Sequence, residues 1–138
     1  MIFLDSGFLY AYVNVKESSH KLVTSQMKQI ILGKYGSIVI SNFIYDEVLT
    51  LARARTRDCK VGNKIKILIK KEINGKKLIK MINITEELMN KTELIYDNYC
   101  KEGLSFTDCS ILSVMNDKKI TNLATLASEF NGKANVIT

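Results

Sequence analysis

"MIFLDSGFLYAY" (residues 1–12) begins with an unbroken apolar run, Ile2-Phe3-Leu4, and the run ends in a carboxylate. A strand with one solvated face alternates apolar and polar residues. One without a polar position is buried on both faces, as in a parallel sheet covered by helices on each side. "SIVIS" (37–41) repeats the pattern, and "KLIKMINIT" (77–85), "KITNLAT" (119–125) and "NVIT" (135–138) are further strand candidates. Helical patterns fill the intervals at 7–13, 20–32, 43–54, 58–73, 86–100 and 105–116, with Gly33, Gly36, Gly75, Gly103 and Gly132 as stops. Strands alternating with helices imply right-handed crossovers. The expected fold is therefore a three-layer α/β/α sandwich around a central parallel sheet of about five strands. The length of 138 residues suits a single domain over 1–138.

No apolar run is long enough to span a bilayer, and the N-terminus enters "MIFLD" without a basic region or a cleavage site. No membrane association is expected. Cys59, Cys100 and Cys109 are odd in number and lack CxxC spacing, which argues against a disulfide framework or a zinc site and for a reducing cytoplasm.

The net charge of +6 is unevenly spread. Residues 51–80 carry eleven of the 20 Lys/Arg, from Arg53 to Lys80, but only Asp58 and Glu72 of the 14 acids. Such asymmetry is the footprint of polyanion binding. A solvated helical face would give the same composition. The block holds no aromatic residue, so base stacking is not expected there.

In open α/β sheets ligands gather beyond the carboxyl ends of the strands. Three carboxylates fall at that edge. Asp5 follows the first strand and would equally cap the helix that comes next. Glu47 lies in "SNFIYDEVLTLARAR" (41–55), where Ser41 or Asn42 can cap the helix. With about 100° per residue, Glu47 borders the stripe of Ile44, Val48 and Leu51, whereas Asp46 faces away and serves as a first-turn acid favouring the helix dipole. A carboxylate edging into a core needs a partner or a metal. Asp108, in "GLSFTDCSILSVM" (103–115), forms a capping-box spacing with Ser105 and also heads the apolar stripe Ile111-Leu112-Met115. Three converging carboxylates repel unless a cation compensates, and an all-oxygen donor set selects Mg²⁺ or Mn²⁺. His20, the single histidine, is read as a surface or packing residue.

These residues resemble a PIN domain, especially the VapC-type toxin ribonucleases, over nearly the whole chain. "MIFLDSGFLYAY" resembles the family's opening strand and first acid, "SNFIYDEVLTLARAR" its helical glutamate, and "LSFTDCSILSVM" its third acidic segment. The resemblance implies a Mg²⁺- or Mn²⁺-dependent endoribonuclease. Asp5, Glu47 and Asp108 match the family's acidic residues, and Ser6 the small hydroxyl residue after the first. It also implies an antitoxin protein as partner and a homodimer. One position departs. In "LATLASEFNG" (123–132) the fourth strand meets a turn and a short expected helix, and Ala127 stands where the family commonly has another acid. Asn122, Ser128 and Glu129 are polar neighbours that do not occupy the matching place.

On this reading Asp5 and Asp108 ligate the metal directly or through water, and Glu47 positions metal-bound water or a second ion. Arg53 and Arg55, nearest along the Glu47 helix, hold RNA phosphates. The rival reading, favoured by Ala127, is a catalytically weakened PIN domain that binds RNA or a protein. A phosphotransfer fold using one aspartate ranks last, because "DSG" lacks the D-x-D spacing of haloacid-dehalogenase-like phosphatases.

Overall fold

The computed structural model describes residues 1–137, and Thr138, the end of the fifth expected strand, lies outside them. In chain order the elements are β1 (Ile2–Leu4), α1 (Ser6–Val13), α2 (His20–Ile31), β2 (Ile38–Ser41), α3 (Asn42–Thr56), α4 (Lys60–Lys70), β3 (Glu72–Ile73), β4 (Lys76–Lys77), β5 (Ile79–Ile82), α5 (Glu86–Tyr99), α6 (Phe106–Lys118), β6 (Asn122–Ala124) and β7 (Asn135–Ile137). The main sheet has the order β5-β2-β1-β6-β7 and every neighbouring pair is parallel. With its flanking helices it forms the expected α/β/α sandwich. Helix α1 packs against α2, α3 and α4, and α5 packs against α6.

The apolar runs explain the sheet. Ile2, Phe3 and Leu4 are completely buried, as is Ile40, with Val39 nearly so. Phe8 on α1 and Phe130 near the C-terminus complete the same core. Each such side chain contributes about 1.5–3 kcal/mol on leaving water.

Winding reverses at β1. Strands β2 and β5 lie on one side of it and β6 and β7 on the other, so the carboxyl ends of β1 and β6 open a crevice between diverging crossovers. Leu4 is paired with Ala124, and the Asp5 N–H donates to the Ala124 carbonyl at 3.0 Å. The next residues on the two strands, Asp5 and Thr125, therefore emerge together.

Several boundaries differ from expectation, each for a local reason. The helix expected over 58–73 is α4, Lys60–Lys70. Asp58 remains outside it and accepts the Lys60 N–H at 2.8 Å. Past Lys71 the chain forms the antiparallel hairpin β3–β4 around Asn74-Gly75, whose φ values of 53° and 73° suit a two-residue turn. That hairpin shortens the strand expected over 77–85 to Ile79–Ile82. The helix expected after Ala127 is a single 3₁₀ turn, Ser128–Phe130. Asp46 is not a first-turn acid: Ser41 caps α3 by accepting the Ile44 N–H, so Asp46 comes a turn later and is exposed.

Candidate active site

Asp5 caps α1 and also faces the crevice. Its Oδ1 accepts the Ser6 N–H at 2.7 Å, and its Oδ2 accepts the Thr125 hydroxyl at 2.6 Å. Thr125 Oγ1 in turn accepts the Ala127 N–H at 3.0 Å, which fixes the loop after β6 to the carboxylate. Asp5 is only 6% exposed. Burial pushes its pKa up and the Asp108 charge adds to the rise, while the bonds from Thr125 and Ser6 oppose it.

Glu47 reaches the same place from α3. The Ser6 hydroxyl donates to Glu47 Oε2 at 2.6 Å and lies 3.4 Å from Asp5 Oδ1, linking residues 41 positions apart in the chain. Burial raises the Glu47 pKa, the Ser6 bond lowers it, and the charges of Asp5, Asp108 and Asp46 raise it further. Asp108, half-buried at the start of α6, completes a capping box. Its Oδ2 accepts the Ser105 N–H at 2.8 Å, and the Ser105 hydroxyl accepts the Asp108 N–H at 3.0 Å. Asp5 and Asp108 thus each cap a helix, and each also acts electrostatically on the other side of the crevice. The cap fixes the rotamer, and the charge is felt across the crevice.

The Ser6 bond has a measurable consequence. Ser6→Ala is expected to move the Glu47 pKa further up and to cost about 1 kcal/mol of stability at neutral pH, the net value of one such bond. Carboxylate-resolved NMR titration and denaturant unfolding check this. An unmoved Glu47 titration would mean that the contact is not made in solution.

A cleft of about 400 Å³ opens on Asp5, with Gly7, Arg55, Ala127, Ser128 and Glu129 in its wall. Arg55 has its guanidinium 5.3 Å from the centre of the Tyr10 ring and 3.8 Å from Glu17. Arg53 is exposed and lines neither this cleft nor the adjoining groove. Both arginines expected beside the acids are exposed, and only Arg55 lines the cleft. His20 is half-buried: its Nδ1 donates to the Ala11 carbonyl at 2.8 Å, which ties α2 to α1. Thr125 is the site residue that motif reading missed. The parallel pairing of Leu4 with Ala124 was the signal, since it places a hydroxyl opposite Asp5.

All the carboxylates here offer oxygen, and burial together with neighbouring carboxylate charge raises the Asp5 and Glu47 pKa values. The chemistry of the set fits a hard divalent ion. Among the described residues, no group of three or more His, Cys, Asp or Glu side chains stands at a spacing for direct coordination of one ion. Cys59 and Cys100 are exposed thiols and Cys109 a buried one.

The PIN domain model matches residues 2–134. The chain belongs to the PIN domain family. Among solved structures, this PIN domain is similar to VapC20 of Mycobacterium tuberculosis, described as a sarcin-ricin loop cleaving toxin, with TM-score 0.83 and 18% identity over 96% of this chain and 95% of that one. It is also similar to VapBC2 from Rickettsia felis bound to a DNA fragment from their promoter (TM-score 0.67, 18% identity, 99% and 96% covered). A third likeness is to FitAcB from Neisseria gonorrhoeae (TM-score 0.68, 17% identity, 100% and 97% covered). No curated protein matches the sequence. At these identities the likeness establishes the PIN fold. Among the described residues, no helix is long and apolar enough to cross a membrane.

Proposed function

We propose that the protein is a divalent-metal-dependent endoribonuclease that hydrolyses RNA phosphodiester bonds, the toxin of a VapBC-type pair. The observation that carries the reading is the bonded pair of carboxylates at the crevice: Thr125 holds Asp5 and Ser6 holds Glu47, with the charge of Asp108 acting on both without a bond to either. Asp5, Glu47 and Asp108 would hold Mg²⁺ or Mn²⁺, at least one of them through water. When bound, such an ion supplies a water of lowered pKa and compensates charge building on the phosphate. The chain's own residues do the positioning. Ser6 and Thr125 keep two carboxylates oriented before substrate arrives, and Arg55, held over Tyr10, offers a fixed cation to a phosphate oxygen. The likeness to VapC20 supports RNA as substrate, and that to VapBC2 supports an antitoxin partner. A homodimer and a cytoplasmic location are part of the same proposal.

A weakened PIN domain that binds RNA or a protein is the second reading, and Ala127 favours it. Its methyl group lines the cleft where the resemblance places an acid, and its φ of −85° and ψ of 123° accept any L-residue. Ala127→Asp separates the two. An aspartate there would join the acidic set and cap the following 3₁₀ turn, which now has no side-chain cap. With Mn²⁺ present, RNA cleavage is expected to rise by about tenfold or more, equivalent to about 1.4 kcal/mol of the barrier. Absence of metal-dependent cleavage in both chains would leave the binding module as the reading.

A further inference from the structure

We propose that the groove beside the acidic cleft is the path of a single RNA strand, with Lys16, Lys60 and Lys64 holding successive backbone phosphates. This rests on the ribonuclease reading and extends it to the substrate's approach. The groove, about 690 Å³, is the larger of the two hollows and lies between the segment after α1 and the α3–α4 corner. Glu17 and Arg55 line both hollows, so the groove and the cleft share a wall and a strand lying in one leads into the other. Arg55 stands at that junction with its guanidinium already placed over Tyr10. The Tyr10 hydroxyl is itself fixed by the Asn14 amide at 2.8 Å.

Charge decides the kind of occupant. Four basic side chains, Lys16, Arg55, Lys60 and Lys64, face two acids. Both acids are engaged: Glu17 lies 3.8 Å from Arg55, and Asp58 accepts the Lys60 N–H. Among the described residues, no carboxylate lies within ion-pair distance of the exposed Lys16, Lys60 or Lys64. Lys60 and Lys64 are one helical turn apart, about 6 Å along the α4 axis, comparable to a nucleotide step. Val15, 71% exposed, offers apolar contact, but the groove presents no exposed aromatic residue for stacking. Recognition is therefore by backbone phosphate and is indifferent to sequence.

The test measures binding of a labelled single-stranded 20-nucleotide RNA to the full chain by anisotropy in EDTA, across a salt series. It compares the wild type with the triple variants Lys16→Gln/Lys60→Gln/Lys64→Gln and Lys16→Arg/Lys60→Arg/Lys64→Arg. The Gln triple is expected to lose at least tenfold in affinity, with the slope of log K against log salt shallower by about 2, near 0.7 per lost phosphate contact. The Arg triple should retain both. Cleavage of long RNA by the Gln triple should suffer through KM with kcat kept, and cleavage of a trinucleotide too short for the groove should be unaffected. Unchanged affinity and slope in the Gln triple would overturn the path, and wild-type cleavage would then leave the ribonuclease reading standing. Lysine-dependent binding without any cleavage would support the groove and overturn that reading. Lysine-dependent capture of an acidic peptide, with no RNA binding, would overturn the path in favour of a protein partner.

Discussion

Asp5→Asn should lower metal-dependent RNA cleavage by about 10²–10³-fold, the scale of losing one preorganised electrostatic contact in an active site, while the thermal midpoint stays level or rises. The two halves have one cause. Asp5 is almost fully enclosed, and burial raises its pKa because the charged form is poorly solvated. At neutral pH that charge costs stability unless a cation sits beside it. Asparagine removes the charge and can keep the bonding: its Oδ1 accepts the Ser6 N–H, and its amide donates to Thr125 Oγ1. That hydroxyl already accepts from Ala127 and has a second lone pair. Function lost with stability kept marks a group selected for chemistry. Initial rates on RNA with Mn²⁺ and thermal unfolding of both chains decide it. Wild-type rates in the variant would remove Asp5 from the site, and a collapsed midpoint would make it a structural residue.

The parts of the protein visible in the sequence were those with a one-dimensional signature. Ile2-Phe3-Leu4 and Ile38-Val39-Ile40 announce strands buried on both faces, and the sheet places them side by side as parallel neighbours. Glu47 stood out because helical periodicity put a charge at the border of an apolar stripe, and it is half-buried against Ser6. The hairpin at Glu72–Lys77 was hidden because its strands are two residues long and exposed, so they carry no apolar alternation. Asn74-Gly75 was its only signal. Thr125 was hidden for a different reason. A hydroxyl at a strand end is unremarkable until the register with β1 is known, and register is a property of two segments together. Arg53 and Arg55 show the same limit from the other side. Two residues apart on one helix they differ by about 200° in direction, and only Arg55 turns to the cleft.

Addition of Mn²⁺ at neutral pH is expected to raise the thermal midpoint, and the gain should shrink as pH falls. Asp5 and Glu47 have folded-state pKa values raised above their ordinary ones, near 4. The fold therefore favours their protonated forms. Their contribution to metal-free stability is fully present below the ordinary carboxylate range and is lost as pH rises through the raised values. Without metal, the midpoint should climb as pH is lowered from neutral through that window. A divalent ion reverses the preference, because a ligating carboxylate must be ionised and protons compete for it. At 100-fold excess over its dissociation constant, Mn²⁺ contributes about 2.7 kcal/mol, which corresponds to roughly 10 °C for a chain of this size. The increment should be largest above the raised pKa values, fall away as they are crossed, vanish with EDTA and be much reduced in Asp5→Asn. Thermal unfolding from about pH 8 down into the ordinary carboxylate range, with and without Mn²⁺, reads all four. A pH-independent increment, or one that persists in Asp5→Asn, would place the ion elsewhere on the protein, and the acidic crevice would then have to bear its repulsion without a cation.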